Sequence, residues 1–139
     1  MLDRSAGRLA SRQSAVVCPP KPPLQGRPLL SGAQAEHLQG LFKMLANDTR
    51  LRLLHALVRA GELCVTDLAQ AIGMTPQAVS NQLQRLVDRG ILIARRNGSN
   101  VHYRILDPCV PSLLDTALCL SDDAEAAGAE TTRPRGRAR

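Results

Sequence analysis

The stretch ELCVTDLAQAIGMTPQAVSNQLQRLVDRGILIARRNGSNVHYRILD, residues 62–107, decides the fold. Thr66 is placed to cap a short helix carrying Leu68, Ala69 and Ile72, and Gly73 closes it. Thr75-Pro76 then opens a second helix, because Thr caps well and the missing proline N–H costs nothing at the first helical position. Val79, Leu83, Leu86 and Val87 give that helix an apolar face as far as Gly90. Ile91 to Arg96 alternates weakly, Asn97-Gly98-Ser99-Asn100 is a strong hairpin turn, and Val101, Tyr103 and Ile105 alternate on the returning strand. A short helix, a glycine turn and a capped helix make a helix-turn-helix, and the hairpin behind it makes a wing.

Outward from this core the pattern stays helical. Leu38, Leu41, Phe42 and Leu45 predict a helix over 34–46. Asn47-Asp48-Thr49 stops it and restarts a second helix through Leu51, Leu54, Leu57 and Val58 to Gly61. After Asp107-Pro108, the residues Val110, Leu113, Leu114, Ala117, Leu118 and Leu120 predict a last apolar helix. The expected fold is mainly α with a small β-hairpin, in the order α-α-α-α-β-β-α. Residues 1–33, rich in Arg, Ser, Gly and Pro, are expected to be a disordered basic arm. Residues 34–123 form the domain, and 124–139 a disordered Arg-rich tail.

Charge and composition narrow the function. The 139 residues carry 18 Lys+Arg against 12 Asp+Glu, a net charge of +6. Residues 1–33 contribute +4 and 124–139 contribute +2, so 34–123 is neutral. Within it, 75–104 holds Arg85, Arg89, Arg95, Arg96 and Arg104 against Asp88 alone, a surface suited to phosphates. With one Phe, one Tyr and no Trp, the chain lacks the stacking platforms of a single-strand binder. No apolar run approaches the roughly 20 residues of a membrane span, and no secretion signal is visible, so a cytoplasmic protein without a membrane partner is expected. Gln77, Ser80, Asn81, Gln84 and Arg85 are the polar positions of the second helix, and Gln, Asn and Arg can make bidentate contacts to base edges.

These residues resemble the winged-helix ArsR/SmtB transcriptional repressors over about 36–123. LFKMLANDTRLRLLHAL (41–57) resembles the family opening ALADPTRLRIL, and 62–92 resembles its ELCVCDL box followed by S-x-x-x-S-x-H-L-x-x-L. The resemblance implies a homodimer through the first and last helices. It also implies repression at a palindromic double-stranded operator, with release by an inducer, often a metal ion. Thr75, Gln77, Ser80, Asn81, Gln84 and Arg85 would then face DNA, with Arg95, Arg96 and His102 in the wing. The family's tandem His is here Asn81-Gln82, and Thr66 replaces the second thiol of the ELCVCDL box.

Four cysteines remain, and in a cytoplasmic chain they read as thiols rather than a disulfide framework. Thiolates suit zinc, cadmium, lead, copper(I) or arsenite as an inducer. Cys64 matches the retained thiol of the box, and Cys18 is a candidate mobile ligand from the arm. Asp107-Pro108-Cys109 resembles the family's Asp-x-His start of a metal site on the last helix. Cys119 and Asp123 could meet Asp107 and Cys109 of a second chain across a dimer axis. A soft ion bound by Cys64, Cys109, Cys119, Asp107 and Asp123 is thus one reading. Thiol redox or polysulfide sensing is another, and simple packing of the cysteines a third. No nucleophile, base and orienting acid converge, so no enzyme and no catalytic cofactor are expected. A protein-interaction module without DNA contact is the reading from another class, and the local arginine excess argues against it.

Overall fold

The computed structural model describes residues 20–131. After a 3₁₀ turn at Leu24–Gly26 come α1 (Gly32–Leu45), α2 (Asp48–Ala60), β1 (Leu63–Cys64), α3 (Val65–Ile72), α4 (Pro76–Asp88), β2 (Leu92–Asn97), β3 (Asn100–Ile105) and α5 (Cys109–Thr131). The helix order and the hairpin follow the sequence expectation. The sheet is larger than expected: β1 adds to the hairpin, giving a three-stranded antiparallel sheet in the order β1-β3-β2.

Local chemistry explains the boundaries. Ser31 and Gln34 form a reciprocal capping box that starts α1 at Gly32, two residues ahead of the expected start at 34. Asn47 caps α2 by accepting the N–H of Arg50. The expected cap at Thr66 is corrected. Cys64 holds the N-cap position of α3 without a side-chain hydrogen bond, and Thr66 lies inside the first turn. β1 pairs with β3 and runs directly into α3, so the strand rather than a hydroxyl sets where the helix begins. Gly73 follows α3 with φ 70°, a left-handed conformation that a Cβ would strain. The expected tail boundary also moves, because α5 runs beyond 123 to Thr131. Residues 1–19 of the expected arm and 132–139 of the tail lie outside the described residues.

The core sits where α2, α3 and α4 meet the sheet. Leu53, Leu54 and Leu57 come from α2, Leu68, Ala69 and Ile72 from α3, and Val79, Leu83 and Leu86 from α4. Leu92 and Tyr103 close it from the sheet, and Val110 from the start of α5. Burial of each such large side chain contributes about 1.5–3 kcal/mol. Among the described residues the core contains no buried polar or charged side chain. None of the described helices is long and apolar enough to cross a membrane.

Candidate nucleic-acid interface

α4 is pinned on one face and open on the other. Val79, Leu83 and Leu86 recur at the spacing of one helical face and are buried. Thr75 caps the helix, its hydroxyl accepting the N–H of Ala78 at 3.3 Å, and Pro76 follows at the first position. Gln77, Asn81, Gln84 and Arg85 lie on the exposed side, and Ser80 is half-buried at its margin. The amide of Gln77 donates to Asn81 Oδ1 at 3.3 Å, and that of Gln84 donates to Asp88 Oδ1 at 2.8 Å. These exposed bonds order a polar stripe along the helix.

Gln82 does not belong to that stripe. It is half-buried and its Oε1 accepts a 2.9 Å hydrogen bond from Arg50 Nε. Sequence reasoning passed over Arg50, although a cation in the first turn of a helix opposes the helix dipole and is a visible oddity.

The wing divides the expected basic residues between two faces. Arg95 pairs with His102, and Arg96 with Val101, in the β2–β3 register. Consecutive strand residues point to opposite faces, so Arg95 and Arg96 diverge. Arg96 shares a face with buried Leu92 and Tyr103 but lies beyond the core and is exposed. Arg95 shares the other face with His102, which pairs in turn with Cys64 of β1. Arg95 Nη2 forms an ion pair with Glu62 at 3.0 Å, a contact across the sheet that no local sequence pattern reveals. His102 is half-buried in the middle strand. The guanidinium of Arg89 folds against Gly40 of α1, where a Cβ would stand 3.4 Å from it. Among the described residues Arg85, Arg89, Arg96 and Arg104 carry no ion pair and supply the uncompensated charge of this segment.

The expected metal ligands are dispersed in one chain. Cys64 is a half-buried free thiol at the sheet, and Cys119 an exposed free thiol on α5. Cys109 is disulfide-bonded, which corrects the expectation of thiols throughout. Asp107 Oδ1 accepts the N–H of Cys109 at 2.8 Å and so braces the start of α5. Asp123 is exposed farther along that helix. Positions 109 and 119 are about 15 Å apart along an ideal helix axis, too far for one ion. Among the described residues no group of three or more His, Cys, Asp or Glu is placed to hold a metal ion. Beside α5, a groove of about 490 Å³ opens against α2, lined by Leu51, His55, Val58, Leu114 and Leu118 among others.

A capped helix held across a glycine turn, with a hairpin beside it, defines a winged helix-turn-helix protein. Comparison with known proteins agrees. The family described as "Bacterial regulatory protein, arsR family" matches residues 47–94. A solved structure of the AntR antimony-specific transcriptional repressor is 64% identical, covering 79% of this chain and 99% of that one, with a TM-score of 0.68. The chain belongs to the arsR family. A homodimeric winged helix-turn-helix DNA-binding domain from Mycobacterium bovis is 32% identical over 70% of this chain and 92% of that one, with a TM-score of 0.58. The arsenic resistance transcriptional regulator ArsR1 of Pseudomonas putida is 44% identical over 78 residues, 56% of this chain. The match spans 60% of that relative's own length.

Proposed function

We propose that this chain is a transcriptional repressor that reads a palindromic DNA duplex as a homodimer and is released by a thiophilic metalloid or metal ion. The exposed polar stripe of α4, opposite a fully buried apolar face, carries the reading. Gln77, Asn81, Gln84 and Arg85 would approach base edges, with Thr75 and Ser80 near the backbone. Arg96 would meet phosphates from the wing, while Arg95 and His102 act from its other face. Phosphate contacts supply affinity and position, and the amide and guanidinium side chains supply sequence discrimination.

The inducer reading is supported by the donor chemistry of α5 and by the names of the similar arsenic and antimony regulators. A trivalent metalloid bonds preferentially to thiolates. Cys119 of one chain, and Cys109 once reduced, would supply them across a two-fold axis, since one helix cannot bring both to one point. Asp107 and Asp123 would lie nearby as oxygen donors, and Cys64 would belong to a separate position at the sheet. A ligand that favours the low-affinity dimer lowers DNA occupancy by population shift.

The test is release of a fluorescent duplex, taken from upstream of the chain's own gene, from reduced protein. Arsenite, antimonite, cadmium, lead, zinc and copper(I) are titrated in turn. Release by arsenite or antimonite, lost in Cys119→Ser with DNA binding kept, is the expected result. Release that survives in both Cys109→Ser and Cys119→Ser defeats the α5 assignment. The disulfide at Cys109 favours a second reading, in which the thiol–disulfide state itself sets DNA affinity. An oxidised sample that binds the duplex differently without any metal supports that one.

A further inference from the structure

Arg50 occupies the third position of α2, where its positive charge lies at the unfavourable end of the helix dipole. Its side chain turns away to three acceptors on two other helices. Nη1 donates to the carbonyl of Met44 and lies 3.1 Å from the Met44 sulfur. That carbonyl belongs to the last turn of α1, where backbone acceptors lack helical partners and a cation is favoured. Nε donates to Gln82 Oε1 at 2.9 Å, in the middle of α4. One half-buried guanidinium therefore joins the end of α1, the start of α2 and the inner side of α4. A second contact ties the same two helices, because Arg89, just past the end of α4, lies against Gly40 of α1. Apart from these contacts α1 is held by buried Leu45, with Leu41 and Met44 half-buried against the core.

We infer that Arg50, through Gln82, is a positioning residue for DNA reading, fixing the orientation of α4 relative to α1. The inference rests on the DNA reading proposed above. In a dimer joined through α1 and α5, the setting of α4 against α1 determines how two reading helices are spaced on a duplex. Gln82 then acts on sequence discrimination without touching a base. A rotation of α4 by a few degrees moves its exposed amides away from base edges, yet leaves the general attraction to phosphates intact. The Arg50–Gln82 bond should therefore govern selective affinity and leave nonselective affinity nearly unchanged.

The experiment is a double-mutant cycle of Arg50→Met and Gln82→Met in the full chain. Two probes are used: a duplex that the wild-type protein selects from a random-sequence pool, and an unselected random duplex at the same salt. Helical circular dichroism and the unfolding midpoint are recorded for each variant. Gln82→Met is expected to bind the selected duplex about tenfold more weakly, as for loss of one charge-assisted hydrogen bond. Its affinity for the random duplex should change by no more than about twofold, since phosphate contacts dominate there. Arg50→Met should show the same selective loss, and the double variant should lose no more than the weaker single one. If Arg50→Met fails to fold, Arg50→Lys takes its place, because an ammonium keeps the charge but lacks the rigid fork by which Nε and Nη1 reach the two helices separately. Unchanged selective binding by Gln82→Met overturns the inference, as do additive losses, which would mean that Gln82 meets DNA directly. A wild-type protein that selects no sequence overturns the DNA reading itself, and the inference with it.

Discussion

The guanidinium of Arg95 lies 3.0 Å from the carboxylate of Glu62 across one face of the sheet, so its charge is partly neutralised before any duplex arrives. Exposed ion pairs contribute only about 0–1 kcal/mol to stability, because water screens them. The pair therefore matters more for association than for folding. Glu62→Gln removes the competing carboxylate and frees Arg95 for phosphate. The expected result is tighter binding to random duplex at low salt. The plot of log K against log salt should steepen by about 0.9 for one added phosphate contact. An unchanged slope would place Arg95 away from the DNA. By contrast Arg96 has no ion pair among the described residues, so on the proposed reading its charge is already free for phosphate, and Arg96→Ala should flatten the slope by about as much.

At the scale of elements, α4 depends on two devices at its entrance. The Thr75 hydroxyl satisfies one of the four N–H groups that a helix start leaves free. Thr75→Ala should lower unfolding free energy by about 1 kcal/mol in urea denaturation. Gly73→Ala should cost a similar amount by forcing a Cβ into the left-handed region, although no atom lies within 4 Å to clash with it. If neither changed the urea midpoint, the turn would be held by other contacts. Both devices were legible in the sequence because they are local: a glycine, a Thr-Pro pair and a 3.6-residue apolar period. Three features were not legible for physical reasons. β1 has two residues, too few to show alternation, and exists only through pairing with β3. The Arg50–Gln82 bond joins positions far apart in sequence that meet only after α2 and α4 pack. The end of α5 looks like a tail in the sequence because of its alanines, glycine and threonines. Yet AEAA at 124–127 is made of strong helix formers that carry the helix onward across Gly128. The cysteines were legible as soft donors, but not as a constellation, since one chain leaves them apart.

On the scale of the whole molecule, the domain is unfinished along α1 and α5. Leu118 is 55% exposed and Leu120 70%, on a helix whose first turns are anchored by buried Val110. Phe42, the chain's one phenylalanine, is 51% exposed on α1. Exposed apolar side chains of this size, together with a groove of about 490 Å³ between α2 and α5, leave surface that a second copy would cover. Leu118 also lines that groove, so a charge there must be desolvated if two chains meet on this face. Leu118→Glu should leave the helical spectrum intact, because the buried core does not include Leu118. It should convert a dimer into a monomer in sedimentation equilibrium at micromolar protein. With the second reading helix no longer held on the same duplex, affinity for a palindromic site should fall by at least about 10²-fold, the gain that linkage of two binding modules provides. Affinity for a single half-site should stay the same. A Leu118→Glu protein that sediments as a dimer and binds the palindrome normally would move the interface off this face. The ion site proposed between Cys109 and Cys119 of two chains would then lose its geometry as well, because it needs the two copies of α5 to cross.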